Sequence, residues 1–148
     1  MSTPTIRALM PTDRAAWEPL WQGYLTFYKT QIAPEVTDVT WARFHDANVP
    51  MHAHGAFIEG ELLGIVHTIY HYSCWTTGSY CYLQDLFTAE AARGKGIGRA
   101  LIEFAYAEAK VKGASRVHWL TNESNAEAMV LYDKVATRTG FTQYRTIL

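Results

Sequence analysis

Apolar side chains recur at three- and four-residue steps in three stretches of the chain and follow a strand-like pattern in the long stretch between the first and second. Trp17, Leu20, Trp21, Tyr24, Leu25 and Tyr28 share one helical face. They predict a helix that Asp13 can cap, with Pro19 kinking it or delaying its start. Pro34 breaks the pattern, and Thr37 or Asp38 can cap a second short helix ending near His45. Ile97, Ala100, Leu101, Phe104 and Ala105 mark a helix to about Lys112, with Gly113 as its stop. Ala128, Leu131, Tyr132, Val135 and Ala136 repeat that spacing in a last helix, with caps among Asn122 to Asn125 and an end at Gly140.

The strands read from the intervening segments. Thr5 to Leu9 is short and closed by Met10-Pro11. From His54, Ala56-Phe57-Ile58 leads through Glu59-Gly60-Glu61 into a run from Leu63 to Trp75 rich in Ile, Val, Thr, Tyr and His. Thr77-Gly78-Ser79 turns the chain again, into Tyr80 to Thr88. These segments predict an antiparallel meander. Val117 to Thr121 and Phe141 to Thr146 complete the order βααβββαβαβ, a mixed α/β fold in one domain over residues 1–148.

Composition sharpens this picture. With 49% hydrophobic and 18% charged residues, the chain reads as soluble and globular. No apolar run approaches the ~18–20 residues needed to span a bilayer, and Met1 to Pro4 lack the basic start of a secretion signal. Cys74 and Cys81 are too few for a disulfide framework or a thiolate zinc site, so a cytoplasmic protein with reduced thiols is expected. The net charge of −1 argues against broad nucleic-acid binding, but it conceals a division. Residues 1–90 hold four Lys/Arg against nine acids, and residues 91–148 nine against five, balances of −5 and +4. The first part also holds 14 of the 20 aromatic residues. An anion site in the second part and a cation-receiving pocket in the first are the expectation.

Arg93-Gly94-Lys95-Gly96-Ile97-Gly98-Arg99 meets that expectation, because it opens a helix. A helix start carries free N–H groups and a partial positive charge, and glycines let an anion approach the backbone. The loop is not a Walker loop, since Gly98 is followed by Arg99-Ala100. Nor is it a dinucleotide fingerprint, because one residue, not two, separates the second and third glycines.

Gln84-Asp85-Leu86-Phe87-Thr88, followed after four residues by Arg93-Gly94-Lys95-Gly96-Ile97-Gly98, resembles the acetyl-CoA motif of the GNAT N-acetyltransferase superfamily. The resemblance continues through Trp119 to Asn125, Ala128, Leu131-Tyr132 and Gly140-Phe141, and covers nearly the whole chain. Within the superfamily, Trp17, Trp21, Tyr24 and Phe27-Tyr28 look similar to the histone/polyamine acetyltransferase-like group. The resemblance implies a mostly antiparallel central sheet with helices on both faces, acetyl-CoA as co-substrate and no metal. It implies a bulged, splayed strand at Leu86, Phe87 and Thr88 that holds the pantetheine arm. The pyrophosphate would lie on Arg93, Gly94, Lys95, Gly96, Ile97, Gly98, Arg99 and Ala100, with Asn125 and Tyr132 also touching the cofactor.

The implied reaction is acetyl transfer to a primary amine of an amino acid, diamine or polyamine-like compound by direct attack on the thioester. An alkylammonium, with a pKa near ~10.4, must first lose a proton. The spacing of Tyr132 by itself favours a core aromatic, but the resemblance from Asn125 to Tyr132 matches it to the superfamily's general acid. Related polyamine acetyltransferases carry two adjacent acids where this chain has Gln84-Asp85, so Asp85 remains as base or anchor of a water relay, or as a partner for the substrate ammonium. Tyr24, Phe27, Tyr28 and the aromatics from Tyr70 to Trp75 would wall the acceptor pocket. His52-x-His54 has no acid or thiol at ligand spacing, and His67 and His71 read as substrate-side or hydrogen-bonded core residues. A non-catalytic acyl-CoA-binding module and a protein lysine acetyltransferase are the alternatives. A partner subunit completing the last sheet edge in a homodimer is expected too.

Overall fold

The computed structural model describes residues 3–148; Met1 and Ser2, the start of the segment read for a secretion signal, lie outside them. In chain order the elements are β1 (Thr5–Ala8), α1 (Arg14–Phe27), α2 (Pro34–Phe44), β2 (Met51–Ile58), β3 (Glu61–Tyr72), β4 (Ser79–Thr88), α3 (Ile97–Val111), β5 (Ala114–His118) and α4 (Ala126–Val135). The five strands form one sheet in sequence order. Every neighbouring pair is antiparallel except β4 and β5, which run parallel because α3 carries the chain across. The β2–β3 hairpin turns on Glu59 and Gly60, with φ of 51° and 81°. A two-residue loop with positive φ at both positions matches the right-handed twist of the strands.

Helices cover both faces. On one, Trp17, Trp21 and Leu25 of α1 and Trp41 of α2 pack with Leu62 and Ile65 of β3. On the other, Ile97, Leu101, Ile102 and Ala105 of α3 pack on Ala56, Val66 and Leu83. Gly64 sets how closely α3 approaches, since a Cβ there would come within 2.7 Å of Ile97 Cγ2. Burying a side chain such as Leu101, fully enclosed, stabilises the fold by roughly 1.5–3 kcal/mol.

Several expectations are corrected. Asp13 does not cap α1; its carboxylate takes two hydrogen bonds from Arg7, at 2.7 and 3.1 Å, and one from the Met10 N–H at 2.6 Å. Pro19 lies inside a continuous α1, where the buried tryptophans on either side hold the helix together despite the missing N–H. The second helix begins earlier than the Thr37 or Asp38 caps implied, because Pro34 supplies the preset φ of a first helical position. Thr37 is buried and accepts a hydrogen bond from the Trp21 indole at 3.2 Å, while Asp38 pairs with Arg14. The fifth strand starts three residues before Val117, straight after Gly113. The strand expected at Phe141 to Thr146 is absent: residues 137–148 have no regular structure and are exposed. The segment does not pair with the open outer edge of β5, and Phe141 and Tyr144 are 90% and 92% exposed.

Candidate active site

The parallel pairing of β4 and β5 is brief. Ser79, Cys81 and Tyr82 pair with Ala114, Val117 and His118, and beyond that point the two strands separate. On its other side β4 stays paired with β3 as far as Thr88. Leu83 to Thr88 therefore present a strand edge that β5 does not cover. The bulge falls earlier than Leu86–Thr88. His67 pairs with Asp85 and Thr68 with Leu83, so Gln84 is the extra residue, and its side chain points into solvent.

The glycine-rich loop sits at the mouth of this split. Gly94 and Gly96 have φ of 77° and 79°, and Gly96 is the N-cap of α3. These left-handed turns aim the first N–H groups of α3 outward, and none at Ile97, Gly98 or Arg99 donates to a backbone carbonyl. Ala100 departs from expectation: its N–H donates to Gly96 at 3.0 Å, so the run of free donors ends at Arg99. Arg93 lies over the Phe87 ring at 5.3 Å, its Nε donating to the Thr88 carbonyl at 3.2 Å. Arg99 pairs with Glu103 at 3.0 Å, and Lys95 is exposed.

Most of the expected residues meet on one cavity of about 520 Å³. Tyr24, Phe27 and Tyr28 come to it from α1, and Leu86, Phe87 and Thr88 from the free edge of β4. The loop supplies Arg93, Gly94, Gly96, Ile97, Gly98 and Arg99, and α4 supplies Asn125 and Tyr132. Lys95, Ala100, Gln84 and Asp85 do not line it. Asn125 makes no capping bond on α4; its side-chain amide donates to Thr121 Oγ1 at 3.3 Å.

Tyr132 also borders a second cavity, of about 850 Å³, walled by residues of β3, β4 and β5 and by the segment after α4. Its walls carry His71, one of the two histidines read as substrate-side or core, together with Tyr80, Tyr82, Arg116 and His118, which the sequence did not single out as chemistry. Arg116 lies 3.8 Å over the Tyr80 ring, and His118 Nδ1 is buried without a hydrogen-bond partner. The acid on this wall, Asp133, is bound by Arg138 at 2.9 Å. Burial, and then the Arg116 and His71 charges, hold the His118 imidazole below its ordinary pKa.

Asp85 is buried beneath the α1 side of the sheet. Its Oδ2 lies 2.9 Å from His67 Nδ1, and His67 Nε2 accepts the Trp17 indole N–H at 3.0 Å. Burial, with the Asp85 carboxylate next, raises the pKa of Tyr24, Tyr28 and Tyr82, which places these hydroxyls around that acid. Burial also raises Tyr132, with Tyr28 adding to it, so the Tyr132 phenol stays protonated at neutral pH. His67 is the hydrogen-bonded core residue that one of its two sequence readings described, but its partners, Trp17 and Asp85, were not legible in sequence. Trp17 reads as one of several core aromatics, and the bulge hides the pairing of His67 with Asp85. Among the described residues no group of three or more His, Cys, Asp or Glu is placed to hold a metal ion, and no helix is long and apolar enough to cross a membrane.

Known proteins resemble this chain over most of its length. The model of the acetyltransferase (GNAT) family matches residues 11–136. A D-amino-acid N-acetyltransferase of Saccharomyces cerevisiae is 39% identical over 142 residues, covering 95% of this chain and 88% of that protein. A thialysine N-epsilon-acetyltransferase of Caenorhabditis elegans is 34% identical over 88 residues, 60% of this chain and 54% of that protein. The crystal structure of a ribosomal-protein-alanine N-acetyltransferase from Brucella melitensis biovar Abortus 2308 superposes with a TM-score of 0.80 at 21% identity. That alignment covers 97% of this chain and 99% of the other, and it bears on the fold.

Proposed function

The chain belongs to the acetyltransferase (GNAT) family, and from that premise we propose that it transfers the acetyl group of acetyl-CoA to the primary amine of a small molecule, an amino acid before a diamine or polyamine. The observation that carries this reading is the meeting of two unlike cavities at Tyr132. One offers free helix N–H groups at glycines, and the other offers an unpaired cation.

The first cavity suits CoA. The free N–H groups of Ile97, Gly98 and Arg99 are donors for a pyrophosphate, and the uncovered edge of β4 offers backbone groups to the pantetheine amides. Gly94 and Gly96 supply the left-handed turns that an L side chain adopts only with strain.

Asp85 and the tyrosines around it favour a cationic amine. The ammonium loses a proton toward Asp85, directly or through water, and the nitrogen lone pair attacks the thioester carbon. The C–N bond forms, the C–S bond breaks, and the departing sulfur takes the Tyr132 proton. The nitrogen releases its second proton as the amide forms, Tyr132 is reprotonated, and one proton passes to solvent overall. A positioned acid of this kind contributes typically ~10²–10⁴-fold.

The wall beyond Tyr132 supports an amino acid. Arg116 can receive a carboxylate, whereas a polyamine needs a second anion, and Asp133 is already held by Arg138. Gln84, where polyamine-acetylating relatives carry an acid, points the same way, as does the D-amino-acid N-acetyltransferase among the similar proteins. The aromatic face of α1 supports placement beside the histone/polyamine acetyltransferase-like group, with a different acceptor.

The proposal takes residues 1–148 as one catalytic domain working in the cytoplasm as a homodimer. Support for the dimer is the outer edge of β5, unpaired among the described residues, and the exposure of Phe141, Tyr144 and Ile147 in the segment after α4. The test is CoA release from acetyl-CoA across D- and L-amino acids, diamines, polyamines and simple monoamines. Amino acids should turn over best, and Arg116→Ala should raise their KM while sparing a monoamine. Turnover of no amine above hydrolysis refutes the reading.

A further inference from the structure

The buried set behind Asp85 has a fixed direction. Trp17 and His67 are 0% and 1% exposed, and the rings of Trp21, Trp41 and Phe44 close around them. An indole nitrogen donates a hydrogen bond and never accepts one. The Trp17 Nε1–H therefore meets a lone pair on His67 Nε2, at 3.0 Å. The His67 proton resides on Nδ1, which donates it to Asp85 Oδ2 at 2.9 Å. Protonating Nε2 would set two N–H groups head to head in a space with no room to turn either aside. Indole, imidazole and carboxylate thus form a chain in which only the carboxylate can carry charge.

We propose that Trp17 and His67 are positioning residues that keep the full negative charge of Asp85 available to the acceptor ammonium, which rests on the amine-anchoring role of Asp85 given above. Histidine beside a carboxylate normally gains a proton and neutralises its partner. Here Trp17 blocks that protonation, so the imidazole orients Asp85 and donates one hydrogen bond without cancelling its charge. The groups that face the pair are few. α1 presents Tyr24 and Tyr28 toward Asp85, with Arg14 outside Trp17 at 5.9 Å. β4 presents Tyr82, and α2 presents Trp41 and Phe44, with His45 edge-on to Trp41 at 4.7 Å. None of these places a second cation between His67 and Asp85.

The experiment combines histidine ¹⁵N spectra with acceptor kinetics between pH 5.5 and 8.5. In the wild-type enzyme His67 should remain the neutral Nδ1–H tautomer throughout. In Trp17→Phe, Nε2 loses its donor and His67 can ionise. The acceptor KM should then climb about tenfold relative to wild type as pH falls from 8 to 6, the scale of one charge-assisted hydrogen bond, while the KM for acetyl-CoA holds. Adding His67→Asn to Trp17→Phe restores a side-chain N–H donor that cannot ionise and should remove the extra pH dependence. A wild-type His67 that is imidazolium or Nε2–H at neutral pH overturns the proposal, as does an unchanged KM profile in folded Trp17→Phe. Where Trp17→Phe does not fold, the wild-type spectrum decides. Asp85→Asn separates the underlying reading: an unchanged acceptor KM there refutes amine anchoring and leaves the tautomer result standing on its own.

Discussion

Replacing Gly98 by Ala should raise stability and damage cofactor use together, a combination that a merely structural glycine would not show. Gly98 is the second residue of α3 and does not have a positive φ. A Cβ there would lie 3.6 Å from Leu131 Cδ2 and 3.9 Å from Thr88 Oγ1, ordinary contact distances, so the fold accommodates it. Exchanging Gly for Ala at a compatible position stabilises by roughly 0.4–1 kcal/mol, which is about 1–4 °C in Tm for a chain of this size. Yet Leu131, Thr88 and Gly98 all border the cavity assigned to CoA, so the new methyl group occupies the approach to the free N–H groups. A hydrogen bond to a charged group contributes about 1.5–3 kcal/mol, and the loss of one raises the KM for acetyl-CoA roughly 10- to 100-fold. Gly96→Ala is the control, since a Cβ there meets nothing and φ is +79°. Left-handed backbone strain costs an L-residue about 1–2 kcal/mol, so that variant should lose stability. Thermal shift with and without CoA, together with steady-state kinetics, measures both quantities. A lowered Tm for Gly98→Ala, or a KM within twofold of wild type, refutes the placement of the pyrophosphate on this turn.

Two further predictions concern Tyr132 in the cleft and a histidine buried away from it. Tyr132→Phe should lower kcat by about 10²–10⁴-fold and leave the KM for acetyl-CoA within twofold; because burial raises the wild-type phenol, kcat should show no alkaline loss through the ordinary tyrosine range. His54, buried against Phe104, has a pKa lowered to about 4, chiefly by burial. The unfolded chain binds this proton near pH 6.5 and the folded chain does not, so stability falls as pH drops through that window. The loss reaches about 3 kcal/mol by pH 4. His54→Gln should flatten the Tm profile between pH 6.5 and 4, and an unchanged acid slope would show that His54 is not its source.

Helix α3, its glycine-rich opening and its stop at Gly113 were legible because the pattern is local: apolar residues at helical spacing, then a residue that tolerates positive φ. The meander was legible for the same reason. Capping was less so, because a side chain's partners are tertiary. Asp13 precedes a helix as a cap should, yet the bidentate Arg7 guanidinium claims its carboxylate. The segment from Phe141 has strand-forming residues and finds no strand, since β propensity becomes structure only against a partner edge.

The acid of the site was hidden by one extra residue. Along β4, Cys81 and Leu83 face α3, and strict alternation would carry Asp85 to the same face, against Leu101 and Ile102. A carboxylate buried in that apolar layer would have no partner. The bulge at Gln84 shifts the alternation by one: Leu86 then faces α3, while Asp85 and Phe87 turn toward α1. Asp85 thereby meets His67, and through it the Trp17 indole, instead of a leucine core. The same strand continues past the last β5 pairing at His118, so the residues after the bulge keep a free backbone edge beside the glycine turn. A register shift of one residue and a parallel partner that leaves early are thus enough to set a satisfied carboxylate, a free strand edge and a helix N-terminus around one cleft. Deleting Gln84 joins Leu83 directly to Asp85 in plain alternation, so Asp85 should keep its place opposite His67 on the α1 face, and a histidine ¹⁵N spectrum of the deletion variant should show the His67 Nδ1–H unchanged.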